Sequence, residues 1–370
     1  MIELEDCIEP ILYILDSYDW SENKQEKEEE AFMDIYDWIE ETYDIELNYI
    51  DDLDDFIIDM FDYFFTYFFQ QDTSELSKQI DKLSQIEQPE QRTDEWYVFR
   101  NSLITASSCY KVFGSEKLQQ QFIKEKCFPK EICNYVNVES PLHWGQKYEP
   151  LSIQLYEYRY HTEIKEFGCI RHDKYSFLGA SPDGINIDIG SERYGRMLEI
   201  KNVVSREITG IPKPEYWIQM QIQMEVCNLD ICDFLETKFI EYPDKNSFEE
   251  DGDFLHSTNS FQIDKGIVLY FADSKNNFKP LYIYKPLEMD VREFDVWYDV
   301  MYDKYEKEGY TWVRNIYWKL NIFHTTVVHR DKKWFEEHIK QIGDFWNRIE
   351  KEKATKKILH INFIQLEFIN

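Results

Sequence analysis

Two acidic side chains and one amine, in a fixed order, are the residues of this sequence best suited to do chemistry. Ser181-Pro182-Asp183-Gly184 reads as a strand leaving into a turn, and Leu198-Glu199-Ile200-Lys201 begins fifteen residues after Asp183. Residues two apart on a strand share a face, so Glu199 and Lys201 point one way while Leu198 and Ile200 point to the core. Asp183, on a neighbouring strand, then meets Glu199 across the sheet. Two carboxylates and the Ile200 carbonyl supply the hard oxygens that Mg²⁺ prefers, and Glu149 can complete the set from a facing helix. Phosphodiester hydrolysis needs a nucleophile at neutral pH and a screen for charge on the leaving oxygen, and a bound divalent cation does both. Lys201 would orient or deprotonate the attacking water and stabilise developing negative charge.

A Glu-x-Lys pair alone is commonplace on surface strands. Glu163-Ile164-Lys165 is one such pair here, and Pro243-Asp244 is a stray copy of the other half of the pattern. Neither has its partner at the right distance and order, whereas Asp183 and Glu199 do.

Further motifs stand around these two in order: Trp96-x3-Arg100-x3-Ile104-Thr105-Ala106-Ser107, then Leu142-x-Trp144-Gly145-x2-Tyr148-Glu149-Pro150, and, after the acidic pair, Tyr216-x2-Gln219-x-Gln221-x-Gln223-Met224. With Gly179-Ala180-Ser181-Pro182-Asp183-Gly184 and Leu198-Glu199-Ile200-Lys201 they span residues 93–242. Together they resemble the YqaJ-like viral recombinase family, the family of phage lambda exonuclease, within the PD-(D/E)XK nuclease superfamily. The resemblance implies that Asp183, Glu199 and Lys201 are catalytic, that Asp183, Glu199 and the Ile200 carbonyl bind metal, and that Glu149 supports a second ion. It implies that Arg100, Ser107 and Ser181 hold a terminal 5′ phosphate. Arginine suits that role through its bidentate fork, and hydroxyls through short hydrogen bonds. Tyr216 and Gln219, three apart on one helix, share a face that can pack beside the metal site, with Tyr216 toward phosphate and Gln219 toward phosphate or the attacking water. Gln221 and Gln223 read equally well as a polar helix face in water. Leu142 stands at a wedge position, where burial in the core is an equal reading.

The activity so implied is a Mg²⁺-dependent exonuclease, with Mn²⁺ as a plausible substitute and up to two ions per site. It would digest double-stranded DNA 5′-to-3′ from a phosphorylated end and leave single strands for an annealing protein in recombination or end processing. No cysteine follows Cys232, so no iron-sulfur cluster is expected. Two other readings use the same residues: a flap or structure-specific endonuclease, and a DNA-binding recombination subunit without turnover.

The elements that must position these residues form an α/β pattern. Helices are predicted over 95–112 and 142–161, short strands over 164–171 and 176–180, and a strand over 196–204. A helix opening at Pro214 and a strand over 234–241 follow. Strands near 267–271 and 281–284 and aromatic-rich helices over 290–307 and 331–351 complete a PD-(D/E)XK core, a mixed sheet flanked by helices with C-terminal helical additions. Residues 1–72 read as a separate acidic helical lobe, with Ile8, Ile11, Leu12 and Leu15, and later Phe56, Met60, Phe64 and Phe68, at helical spacing. A Gln-, Ser- and Glu-rich linker over 73–92 then leads into the nuclease domain.

Net charge is −31, which opposes phosphate binding. The first 72 residues hold 24 of the 72 acidic residues and only two of the 41 basic ones. The remainder is close enough to balance to present a local basic groove. The lobe itself could mimic DNA, bind a basic partner, or be a solvated appendage. Seven scattered cysteines without CxxC spacing read as free thiols. No stretch approaches the roughly 20 apolar residues of a membrane span, so a soluble protein is expected, in the cytoplasm or nucleus of a virus-infected cell. Oligomeric state stays open.

Overall fold

The structure is a computed structural model that describes residues 7–18, 24–43, 53–64, 73–89, 93–128, 136–258 and 260–367. The chain divides into two compact units, Met1–Glu75 and Leu76–Asn370.

The first unit holds α1 (Ile8–Asp16), α2 (Lys24–Tyr43) and α3 (Leu53–Tyr63). Ile11 and Leu15 pack with Ala31, Ile35 and Ile39 and with Ile57, Met60 and Phe64 in a core of this unit's own. The apolar stripe of each helix thus faces inward, as its spacing predicts. Phe68 lies outside the described residues.

In the second unit α4 (Ser74–Ser84) comes first, within the stretch predicted to be a linker. Ile80 and Leu83 anchor it in the main core, beside Ile170, Met224 and Val226. Next are α5 (Asp94–Asn101), β1 (Ile104–Thr105), α6 (Ala106–Cys109), α7 (Glu116–Cys127) and α8 (Pro141–Tyr160). Four short strands follow, β2 (Ile164–Lys165), β3 (Ile170–Arg171), β4 (Leu178–Ala180) and β5 (Gly184–Asn186), and then β6 (Met197–Asn202). After α9 (Pro214–Cys227) come β7 (Ile231–Glu241), α10 (Lys245–Glu250), β8 (Lys265–Asp273) and β9 (Lys279–Tyr284). The chain closes with α11 (Val291–Glu308), β10 (Tyr310–His329) and α12 (Lys332–Glu367).

Seven strands form one sheet in the order β2-β5-β6-β7-β10-β8-β9, and β1-β4-β3 form a small second sheet. Only β6 and β7 run parallel in the large sheet; its other pairs are antiparallel. A parallel pair requires a crossover, and α9 supplies it. This is the mixed α/β core with flanking helices that the sequence predicts.

Two differences matter. The helix expected over 95–112 breaks at Ser102, because Ile104 and Thr105 pair in parallel with Leu178 and Gly179. Leu103, Ile104 and Thr105 are all buried by that pairing, and tertiary contact outweighs helix propensity. The twenty-residue β10 carries no sequence prediction, yet it lies between β7 and β8 in the middle of the sheet. Its pattern shows inward residues at Ile316, Trp318 and Leu320, the period of a strand.

α8 is capped at its start and fastened to β6 farther along. Ser140 caps α8 by accepting from the His143 N–H at 3.1 Å. Farther along, Asn202 at the end of β6 donates to the Gly145 carbonyl at 2.9 Å and accepts from the buried Ser152 and Thr237 hydroxyls at 2.7 and 2.6 Å. The decoy pairs have structural uses. Asp244 caps α10 by accepting from Ser247 N–H, and Lys165 donates to Ser84.

Candidate active site

β6 alternates as its sequence requires. Leu198 and Ile200 pack with Tyr156 of α8 and Leu235 of β7 on one face of the sheet. Glu199 and Lys201 occupy the other face, toward α9. Gly184 is paired with Leu198, which places Asp183 at the mouth of β5 beside Glu199. Asp183 N–H donates to the Leu198 carbonyl at 3.2 Å, and the Ile200 N–H donates to Asp183 Oδ2 at 2.7 Å. The strand pairing therefore fixes the carboxylate of Asp183 through the backbone of the residue between Glu199 and Lys201.

Glu199 is almost fully buried, at 1% exposure. A buried carboxylate must be paired and hydrogen-bonded to remain charged. Here Lys201 Nζ and Gln219 Nε2 (2.7 Å) donate to Oε1, and Gln223 Nε2 donates to Oε2 at 2.7 Å. Gln223 also reaches the Ser181 carbonyl at 3.3 Å, tying α9 to both halves of the acidic motif. Gln219 and Gln223 lie four apart, one turn of α9, so one helix face serves Glu199. The sequence reading left Gln223 open between the site and a polar helix face in water; its i+4 spacing from Gln219 was the available signal. Gln221 is buried too but faces away, donating to the His329 carbonyl and accepting from Asp331 N–H. Tyr216 lies below Lys201, whose Nζ is 5.1 Å from its ring centre, and below Arg206 at 5.6 Å.

The charges are strongly coupled. Burial, then the neighbouring Glu199 and Glu149, push the Asp183 carboxyl well above the usual carboxylate range, against the pull of Lys201 and the Ile200 N–H. Burial works against the Lys201 ammonium, but Glu199 and Asp183 outweigh it and hold its pKa above the ordinary lysine value. Glu149 thus contributes to the field at Asp183 from α8. Among the described residues no three side chains of His, Cys, Asp or Glu gather into one metal-sized cluster. Asp183 and Glu199 are the two carboxylates that the strands bring together, with Glu149 near enough to Asp183 to raise its carboxyl.

On the phosphate side, Arg100 near the end of α5 donates through Nη1 to Ser181 Oγ at 3.0 Å, and its guanidinium lies 4.5 Å from the Trp96 ring centre. Ser181 is two residues before Asp183, which joins this contact directly to the acidic pair. Ser107 is exposed, its hydroxyl 3.4 Å from that of Thr105, and among the described residues no hydrogen bond links it to Arg100 or Ser181. Leu142 is 75% exposed at the first turn of α8, not buried in the core.

An acidic pair and a lysine on adjoining strands of a mixed sheet, with helices on both faces, define a PD-(D/E)XK-type fold. Residues 95–230 match the family model described as the YqaJ-like viral recombinase domain. An uncharacterized protein, R354, of Acanthamoeba polyphaga mimivirus is 29% identical over 303 residues, covering 73% of this chain and 54% of that protein. The chain thus spans about half the length of that curated relative. A crystal structure of an alkaline exonuclease from Laribacter hongkongensis aligns over 73% of this chain and all of its own, with a TM-score of 0.43 and 19% identity. A phage-related exonuclease from Haemophilus somnus aligns over 68% of this chain and 96% of its own, with a TM-score of 0.34 and 13% identity.

Proposed function

We propose that this chain is a divalent-metal-dependent exonuclease that degrades double-stranded DNA 5′-to-3′ from a phosphorylated end, leaving a single strand for an annealing partner in recombination. The observation that carries this reading is the continuity of the two halves of the site. Ser181, which accepts from Arg100, and Asp183, which meets Glu199, are two residues apart in the short link between β4 and β5. Two residues span at most about 7 Å of chain, the scale of one step along a DNA strand. A terminal phosphate gripped by Arg100 and Ser181 therefore leaves the next linkage beside the carboxylates. Grip at an end and cleavage one step inward together make an exonuclease with polarity.

The donor set fits a hard divalent cation. Asp183, Glu199, Glu149 and the Ile200 carbonyl would offer oxygens alone, and a cation would offset both the burial and the neighbouring negative charge that lift the Asp183 carboxyl. When bound, Mg²⁺ or Mn²⁺ supplies a water of lowered pKa and screens the phosphoryl oxygens. The chain's own residues do the remainder. Gln219 and Gln223 hold Glu199 in one orientation, and the Ile200 N–H holds Asp183. Lys201, kept charged by the two acids, stabilises negative charge on the phosphate in flight. Residues 93–370 would be the nuclease domain and residues 1–72 an acidic lobe outside it.

Digestion of end-labelled duplexes tests the reading. Linear DNA with a 5′ phosphate should release nucleotides from the 5′ end only with Mg²⁺ or Mn²⁺, and Lys201→Ala should abolish release. Rapid cutting of closed circles, indifferent to the terminus, would make the protein an endonuclease. DNA binding with no metal-dependent release would leave a recombination subunit without turnover.

A further inference from the structure

The C-terminal end of α5 gathers cations in a chain whose acidic residues outnumber its basic ones by 31. Arg100 and Lys126 are half-buried there, and among the described residues neither forms an ion pair with a carboxylate. Lys126, on the last turn of α7, donates through Nζ to the Arg100 carbonyl at 2.9 Å, which leaves two of its ammonium protons unspent. Behind it Lys353 of α12 reaches the Asn101 carbonyl at 3.4 Å. Its one carboxylate partner, Glu350, is 3.1 Å away and half-exposed. The thiol of the buried Cys169 lies in the field of both Arg100 and Lys126, and Ser181 accepts from Arg100, so all three belong to one locus. Among the described residues, the indole N–H of Trp96, beneath the Arg100 guanidinium, has no acceptor.

Like charges held together and out of water repel, and here the strain registers on the lysine. Burial, then Lys353 and Arg100, draw the Lys126 ammonium down to about 8. A bound anion reverses that cost. The anion best matched to two adjacent cations is a phosphomonoester, which carries close to two negative charges above its second pKa of about 6. A phosphodiester inside a strand carries one.

We propose that Lys126, supported by Lys353, belongs to the terminal-phosphate pocket and supplies the second positive charge by which this enzyme distinguishes a 5′-phosphorylated end from a 5′-hydroxyl end. The assignment rests on the pocket reading of Arg100 and Ser181 and extends it with residues from α7 and α12. Lys353 lies beyond the 95–230 region of the YqaJ-like domain, so part of this selectivity comes from the C-terminal addition.

The test is the ratio of kcat/KM on otherwise identical blunt duplexes bearing a 5′ phosphate or a 5′ hydroxyl, measured for the full chain and for Lys126→Gln, Lys126→Arg, Lys353→Gln and Arg100→Gln. Each ratio comes from one preparation, so a loss of folded enzyme cancels. Lys126→Gln is expected to lower the ratio roughly tenfold, the loss of one charge-assisted hydrogen bond. Lys126→Arg should keep most of the preference, and Lys353→Gln should lower it roughly threefold. If Lys126→Gln does not fold, Lys353→Gln against Lys126→Arg carries the same comparison. A wild-type ratio in both lysine variants, with the preference lost in Arg100→Gln, overturns the role of Lys126 and leaves the pocket standing. A wild-type enzyme indifferent to the terminus removes the pocket itself, and this assignment with it.

Discussion

Asp183 shows how a single residue can be held against its own stability. Its carboxyl is pushed up by burial and then by Glu199 and Glu149, so the fold opposes its ionisation. A raised folded pKa contributes stability that is full at acid pH and is lost as pH rises through that pKa. Asp183→Asn cannot ionise and still accepts from the Ile200 N–H. In EDTA it should be more stable than the wild type at pH 8 in urea unfolding, with the gap closing toward pH 5, while its nuclease activity is lost. A variant less stable than wild type at pH 8 would mean that the charged carboxylate is well satisfied by the fold. Gln223 and Gln221 make a matched pair for the same scale. Gln223→Leu removes a donor from buried Glu199, worth about 1.5–3 kcal/mol for a bond to a charged group, so kcat/KM should fall roughly 10- to 100-fold. Gln221→Leu cuts only the bonds to His329 and Asp331; it should cost about 1–3 kcal/mol of stability and leave kcat/KM within about twofold.

Strands and helices set the distances between those residues. β5 can approach β2 only because position 184 has no side chain: a Cβ there would lie 2.2 Å from Ile164 Cγ2. Gly184→Ala should destabilise the fold by about 1–3 kcal/mol and lower activity, since it displaces the strand that carries Asp183. Ile164→Ala in the same chain should recover part of both, read by urea midpoint and by kcat/KM; no recovery would place the strain elsewhere. α9 acts as the other jaw, presenting Gln219 and Gln223 from consecutive turns. The SPDG turn, the strand of Glu199 and the start of α9 at Pro214 were legible in sequence, from turn residues, a two-residue period and a proline at a first helical position. β10 was not assigned, although its β-branched and aromatic residues favour a strand. Pairing with β7 and β8 decides its place in the middle of the sheet.

Charge is a property of the whole molecule. Residues 1–72 hold 24 acidic residues against two lysines. Deleting residues 1–72 leaves α4 whole and lowers the net negative charge that repels DNA. The truncated chain should associate with duplex DNA faster at low ionic strength, the difference disappearing toward 1 M salt, where the screening length is about 3 Å. Stopped-flow association across a salt series reads this directly, and equal rates at low salt would make the lobe electrostatically silent toward DNA.

The sequence by itself determined the acidic pair, its lysine and their order, because a strand's two-residue period and a short turn place such groups without help from distant residues. It also determined the helical, self-contained acidic lobe, whose apolar stripes are local patterns. Only the tertiary structure decided which glutamines serve Glu199, since Gln219, Gln221 and Gln223 look alike until α9 is laid on β6. It alone brought Lys126 and Lys353 to the end of α5, and left Ser107 exposed with no hydrogen bond to Arg100 or Ser181 among the described residues. Residues 100, 126 and 353 lie on three helices far apart in the chain, and no local period relates them; packing does.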